Sequence, residues 1–113
     1  MNMKKLITCA IAALVAAAPA NAGSAPMGTI TTVYYLNGPI LFYVNATHSG
    51  IPACANNGTS TRWAISAATM GGQAQLSALM TAIARGKRIS VQGTGTCSVW
   101  GDSETADYFT VED

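Results

Sequence analysis

The stretch GTGTCSVWGDSETADYF, residues 93–109, gathers the side chains best able to do chemistry: the thiol of Cys97, the indole of Trp100 and the carboxylates of Asp102, Glu104 and Asp107. A thiol nucleophile needs a base to activate it. The chain has a single histidine, His48, in the loop-like segment NATHSG with no carboxylate nearby in sequence to orient it. A calcium loop needs about six to eight oxygens at fixed spacing around a glycine, and DSETAD has neither the spacing nor the glycine. Hydrolysis by paired carboxylates needs two acids across a cleft, whereas three acids in one short segment read as a solvated turn. No Ser-His-Asp elbow, CxxC, HExxH or phosphate-binding loop is present. These residues therefore point to no catalytic group, no metal ligand and no cofactor.

The N-terminus assigns a compartment. Lys4 and Lys5 precede an apolar run from Leu6 to Ala18, and Ala20-Asn21-Ala22 supplies a small-x-small cleavage site. This is the layout of a bacterial-type secretory signal peptide. The run is shorter than the about 20 apolar residues a membrane-spanning helix needs. LITC around Cys9 resembles a lipid-attachment box, but Thr8 is a poor residue before a modified cysteine and the apolar core follows Cys9. The expectation is a signal peptide over residues 1–22, cleavage near Ala22, and a single small domain over 23–113 that is secreted or periplasmic, without a membrane anchor. That domain has four basic residues (Arg62, Arg85, Lys87, Arg88) and five acids (Asp102, Glu104, Asp107, Glu112, Asp113). So even a balance gives no electrostatic case for nucleic acid.

The same compartment answers the question of Cys97. A domain this short has a thin core, and exported domains of that kind are usually cross-linked. Two cysteines follow the signal, Cys54 and Cys97, and an even pair predicts one disulfide. Closing a loop of roughly 44 residues is worth about 4 kcal/mol in the chain-entropy description. Because Cys54 and Cys97 flank a predicted helix in sequence, the bond is expected to clamp that helix to the sheet.

The elements that position these groups follow from periodicity. GTITTVYYLN (28–37) is rich in β-branched and aromatic residues and reads as a strand, with Ile30, Tyr34 and Leu36 on one face and Val33 and Tyr35 on the other. Asn37-Gly38-Pro39 is a turn, and ILFYV (40–44) returns as the second strand of a hairpin. Residues 45–61 form a loop rich in Asn, Gly, Ser and Thr; RWAIS (62–66) is a third strand. Leu76, Leu79, Met80 and Ile83 form one helical stripe, predicting a helix over about 70–86 with Thr69 as N-cap and Gly86 beyond its end. RISVQG (88–93) and TADYFTVE (105–112) complete five strands. The order predicts a β-rich α+β fold: a small five-stranded OB-like Greek-key barrel, or a curved sheet, with one helix packed on it.

GTI, IPAC, RWAI, QLSALMTAIARGK and KRISVQG, taken in that order behind a signal peptide, resemble a group of small exported bacterial proteins and, distantly, the B subunits of subtilase-type A-B toxins. The resemblance spans about residues 28–95. It implies an OB fold, a pentamer and binding of cell-surface sugars. The toxin subunits hold sugar with a segment before the first core strand. Here that segment is only GSAPM (23–27), so no sugar-binding residue carries over.

Trp63, Trp100, Tyr35 and Tyr43 are the side chains whose apolar faces could stack on a sugar ring. For Trp63, beside Ile65 in a strand, a core position is the favoured reading. Arg85, Lys87 and Arg88 could take an anion, but also suit the negative end of the helix dipole. Two triplets, Asn45-Ala46-Thr47 and Asn57-Gly58-Thr59, match the N-glycosylation pattern and are read as chance behind a bacterial-type signal. The sequence thus leads to a non-catalytic secreted or periplasmic module with a glycan or protein partner, forming a homo-oligomer. A small periplasmic inhibitor or immunity-type protein is the alternative, and a hydrolase with an unrecognised site is third.

Overall fold

The computed structural model describes residues 22–55 and 61–113. The signal segment through Asn21, including Cys9, and the Asn57-Gly58-Thr59 triplet lie outside the described residues. Five strands close into a barrel: β1 (Ser24–Tyr35), β2 (Pro39–Asn45), β3 (Arg62–Ser66), β4 (Ile89–Gly93) and β5 (Glu104–Val111), with one helix, α1 (Met70–Ala84), between β3 and β4. Round the barrel the order is β1-β2-β3-β5-β4. Every joint is antiparallel except β3–β5, which is parallel through Trp63–Glu104 and Ala64–Thr105. The β-rich α+β barrel with one packed helix is therefore the observed fold.

β1 is longer than its β-propensity indicates. It begins at Ser24, because Ser24–Gly28 pairs with β4 while Thr29–Tyr35 pairs with β2. One strand thus serves both ends of the sheet and closes the barrel. A register shift between Ile30 and Thr32 accompanies this double duty. It breaks the period of two, so Ile30 and Val33, expected on opposite faces, both pack against the core. Gly38, at φ 106°, turns the chain into β2.

The core is lined by alternate residues: Ile40, Phe42 and Val44 from β2, Trp63 and Ile65 from β3, Ile89 and Val91 from β4. Leu79 and Ala82 of α1 complete it. The helix therefore docks on a face different from the stripe expected. Leu79 is buried and Leu76 packs against the core, but Met80 and Ile83 are 51% and 42% exposed, and Ala82 and Gly72 are buried in their place. The reason is close approach. A Cβ on Gly72 would lie 1.5 Å from the carbonyl oxygen of Ser66, so the first turn abuts the end of β3 and small residues face the barrel. The helix ends behave as local signals dictate. Thr69 Oγ1 accepts from Gly72 N–H at 2.9 Å. At the other end, Gly86 (φ 64°) donates to Ile83 and Lys87 donates to Ala82, which satisfies two terminal carbonyls.

Cys54, in the 3-10 turn Ala53–Ala55, is bonded to Cys97, with Cα atoms 6.2 Å apart. Its position corrects the expected helix clamp. β3 starts, β4 ends and β5 starts at one end of the barrel, so the β2–β3 and β4–β5 loops meet there. α1 and the β1–β2 turn lie at the opposite end. The disulfide joins the two loops and leaves the helix to its own packing.

Candidate functional site

The end of the barrel away from α1 is closed by a polar plug. Glu104, first residue of β5, is fully buried opposite Trp63. Its Oε1 lies 2.6 Å from His48 Nε2, and its Oε2 accepts from Gly23 N–H at 2.9 Å and Gly95 N–H at 2.8 Å. His48 is also buried, and its ring stacks on Trp63 at 4.0 Å. The expected solvated acidic turn is thus split three ways. Glu104 is interior, Asp102 pairs with Arg62, and Asp107 is exposed. A histidine that lacked an acid nearby in sequence has one 56 residues away. Glycines make the pairing fit: a Cβ on Gly93 would lie 1.9 Å from Glu104 Oε2, and one on Gly23 would lie 2.4 Å from Oε1. With both side chains buried, the pair holds the loops rather than presenting itself to a solute. Among the described residues no cluster of His, Cys, Asp or Glu could hold a metal ion.

A different surface gathers aromatic and polar groups that are exposed or half-buried. On β2 the inward residues are Ile40, Phe42 and Val44, so Tyr43 points outward. It pairs across the ladder with Arg62, which also points outward because Trp63 is in the core. Tyr34 of β1 meets Tyr43 edge to face, centroids 6.2 Å apart. Arg62 donates from Nε to Ser103 Oγ at 2.6 Å and pairs through Nη2 with Asp102. Ser103 N–H donates to the carbonyl of Trp100, 3.1 Å away, and Trp100 is 38% exposed. Tyr34, Tyr43, Arg62 and Asp102 therefore run as a strip from β1 onto the β4–β5 loop, which also carries the partly exposed Trp100. On the same loop Thr94, Thr96 and Ser98 are exposed, their hydroxyls linked at 2.8 and 3.4 Å.

Of the four aromatic candidates, Tyr43 lies on this strip and Trp100 on the adjoining loop. Trp63 is fully buried under His48, and its indole N–H has no hydrogen-bond partner among the described residues. Trp63 thus takes the core position its strand context favours, and its low-ranked stacking role is set aside. Tyr35 lies elsewhere, in an open groove of about 240 Å³ with Ile30, Val33 and Ile83 beside the end of α1. Sequence reasoning missed Tyr34, Arg62 and Asp102. Alternation beyond the β1 irregularity could have found Tyr34, whereas the Arg62–Asp102 pair spans 40 residues and left no local trace. In the basic cluster, Arg88 is engaged by Glu112, with Nε and Nη2 at 3.0 and 2.9 Å from Oε2. Those hydrogen bonds hold the Glu112 carboxyl below its usual range and raise the Arg88 guanidinium.

Comparison with family models, curated proteins and solved structures gives no match. The toxin-subunit resemblance accordingly gains no support and meets no objection from that quarter.

Proposed function

We propose that this protein is an exported binding module that takes carbohydrate on the outer face of β2 and β3. The supporting observation is the Tyr34–Tyr43–Arg62–Asp102 strip beside the β4–β5 loop, which carries Trp100 and the Thr94, Thr96 and Ser98 hydroxyls. Sugars are bound by aromatic faces against their C–H surfaces together with planar donors and acceptors for their hydroxyls, and the strip supplies both. Five-stranded barrels of this strand order use the β2–β3 face and the β4–β5 loop for oligosaccharides. The disulfide supports the reading, because it ties the loop bearing Trp100 to the β2–β3 loop and so limits the ordering cost of binding. It also fits residence in an oxidising compartment outside the cytoplasm. Among the described residues Thr32–Tyr35 pairs with β2 on one side only, and this open edge is where copies of the chain would associate.

A glycan-array screen of the exported protein tests the reading, with oligomeric state measured by light scattering. Trp100→Ala and Tyr43→Ala should each weaken binding about tenfold or more while leaving the melting temperature within a few degrees, since one stacking contact is worth about 0.5–1.5 kcal/mol beyond its buried area. Binding unchanged in both variants, or no glycan bound at all, refutes it.

A further inference from the structure

The plug has a feature that the binding reading does not use: one of its three donors is the backbone nitrogen of Gly23. Gly23 is buried, its N–H points at Glu104 Oε2 at 2.9 Å, and its carbonyl accepts from Gly93 N–H at 2.8 Å. The space for a side chain there is already filled, since a Cβ would lie 2.4 Å from Glu104 Oε1 and 2.6 Å from His48 Nε2. Ala22, one residue earlier, is at the surface. Among the described residues, the only group touching Glu104 that could carry a positive charge in the intact chain is His48.

We propose that cleavage of the Ala22–Gly23 bond turns this nitrogen into the cation of a buried ion pair, so that removing the leader completes the fold. The sequence places a small-x-small cleavage site at this bond. Hydrolysis by a signal-type peptidase consumes one water, leaves a carboxylate on Ala22 and frees the amine of Gly23. An ordinary α-amine has a pKa of about 7.7–8.0, so the released group is mostly protonated at neutral pH. It sits where the amide sat, within bonding distance of a carboxylate already held by Gly95 N–H. A neutral hydrogen bond becomes a charge-assisted one, roughly twice as strong. Gly is required at the new terminus because any side chain would strike Glu104 and His48. The uncleaved chain keeps the neutral bond and folds less stably.

The test uses the chain expressed with its own leader and isolated after export. Intact mass should place the first residue at Gly23; any other start overturns the proposal. The processed chain then has two amines, the α-amine and Lys87. Isotope-labelled acetylation followed by peptide mass analysis should label Lys87 readily in the native protein and the α-amine at least on the order of tenfold more slowly, with the two converging in denaturant. Equal labelling in the native state overturns the ion pair. Protein acetylated in denaturant with its disulfide intact, then refolded, should melt about 5 °C below protein carrying acetyl on Lys87 alone and taken through the same cycle. Failure of only the first to refold has the same meaning. An equal or higher melting temperature overturns the proposal, since the amine would then be buried without contributing charge.

Discussion

Gly93→Ala adds one methyl group to the middle of the plug. The new Cβ would lie 1.9 Å from Glu104 Oε2 and 2.3 Å from its Cδ, where real contacts are about twice as long. The carboxylate has little room to retreat. Its other oxygen is 2.6 Å from His48, whose ring is stacked on the fully buried Trp63. The move available is to swing Oε2 off the N–H groups of Gly23 and Gly95. Hydrogen bonds to a charged group contribute about 1.5–3 kcal/mol each, so losing both costs about 3–6 kcal/mol. That is a large share of the about 5–15 kcal/mol that holds a domain together. At about 4–8 °C per kcal/mol for a domain of this size, the melting temperature should fall on the order of 20 °C. Gly101→Ala is the control, because a Cβ there meets nothing within 4 Å and its φ is not positive. Thermal denaturation followed by circular dichroism, disulfide intact, reads both variants. In Gly93→Ala/Glu104→Ala the collision is gone, so the double variant should be less destabilised than the two single losses added together. A Gly93→Ala protein within about 1 kcal/mol of Gly101→Ala, or strict additivity in the double variant, refutes the reasoning.

Replacing Cys54 and Cys97 together with alanine should cost about 2–4 kcal/mol, on the order of 10 °C or more, while thiol titration of the denatured, unreduced exported protein should find no free thiol. Because the bond joins the two loops at the plug end, native-state hydrogen exchange in that variant should rise around Gly95 and Ser49 and stay unchanged in α1. Thr69→Ala removes the cap on Gly72 N–H and should cost about 1 kcal/mol, with Thr69→Ser close to wild type by denaturant titration. Glu112 has its folded-state pKa lowered by Arg88, so its contribution is present above the ordinary carboxylate value of 4.5 and is lost as pH falls through the folded value. The stability gap between wild type and Glu112→Gln should therefore narrow on acidification below pH 4.5, as read by melting curves at constant ionic strength.

Much of the fold is written in short-range signals. Thr69, Gly86 and the Asn37-Gly38 turn each act within a few residues, and each is found where local stereochemistry places it. The strands from β2 to β5 match their alternation to within a residue or two. Three features depend on contacts that no local pattern encodes. The first half of β1 is a strand because β4 lies beside it, and SAPM has no β-propensity of its own to announce this. The helix buries Ala82 ahead of Met80 because the first turn is pressed against Ser66, and periodicity counts apolarity without knowing the gap to be filled. The pairing of His48 with Glu104 joins a loop to a segment that, by composition, belongs in water.

That pairing also explains how the end of the barrel away from α1 is sealed. A five-stranded barrel this small is filled by its own side chains and has two ends to seal. α1 seals one end with Leu79 and Ala82. The other has no helix, and only loops pass over it. Loops carry unsatisfied backbone donors, so an apolar seal would bury N–H groups without partners. A buried carboxylate suits that end better, since it accepts from Gly23 and Gly95 while His48 covers Trp63. The loops are thereby fixed by bonds directed inward, reinforced by the disulfide between them. The threonines add to this, since Thr94 Oγ1 donates to the Thr105 carbonyl at 3.0 Å and accepts from Thr96 N–H at 3.2 Å.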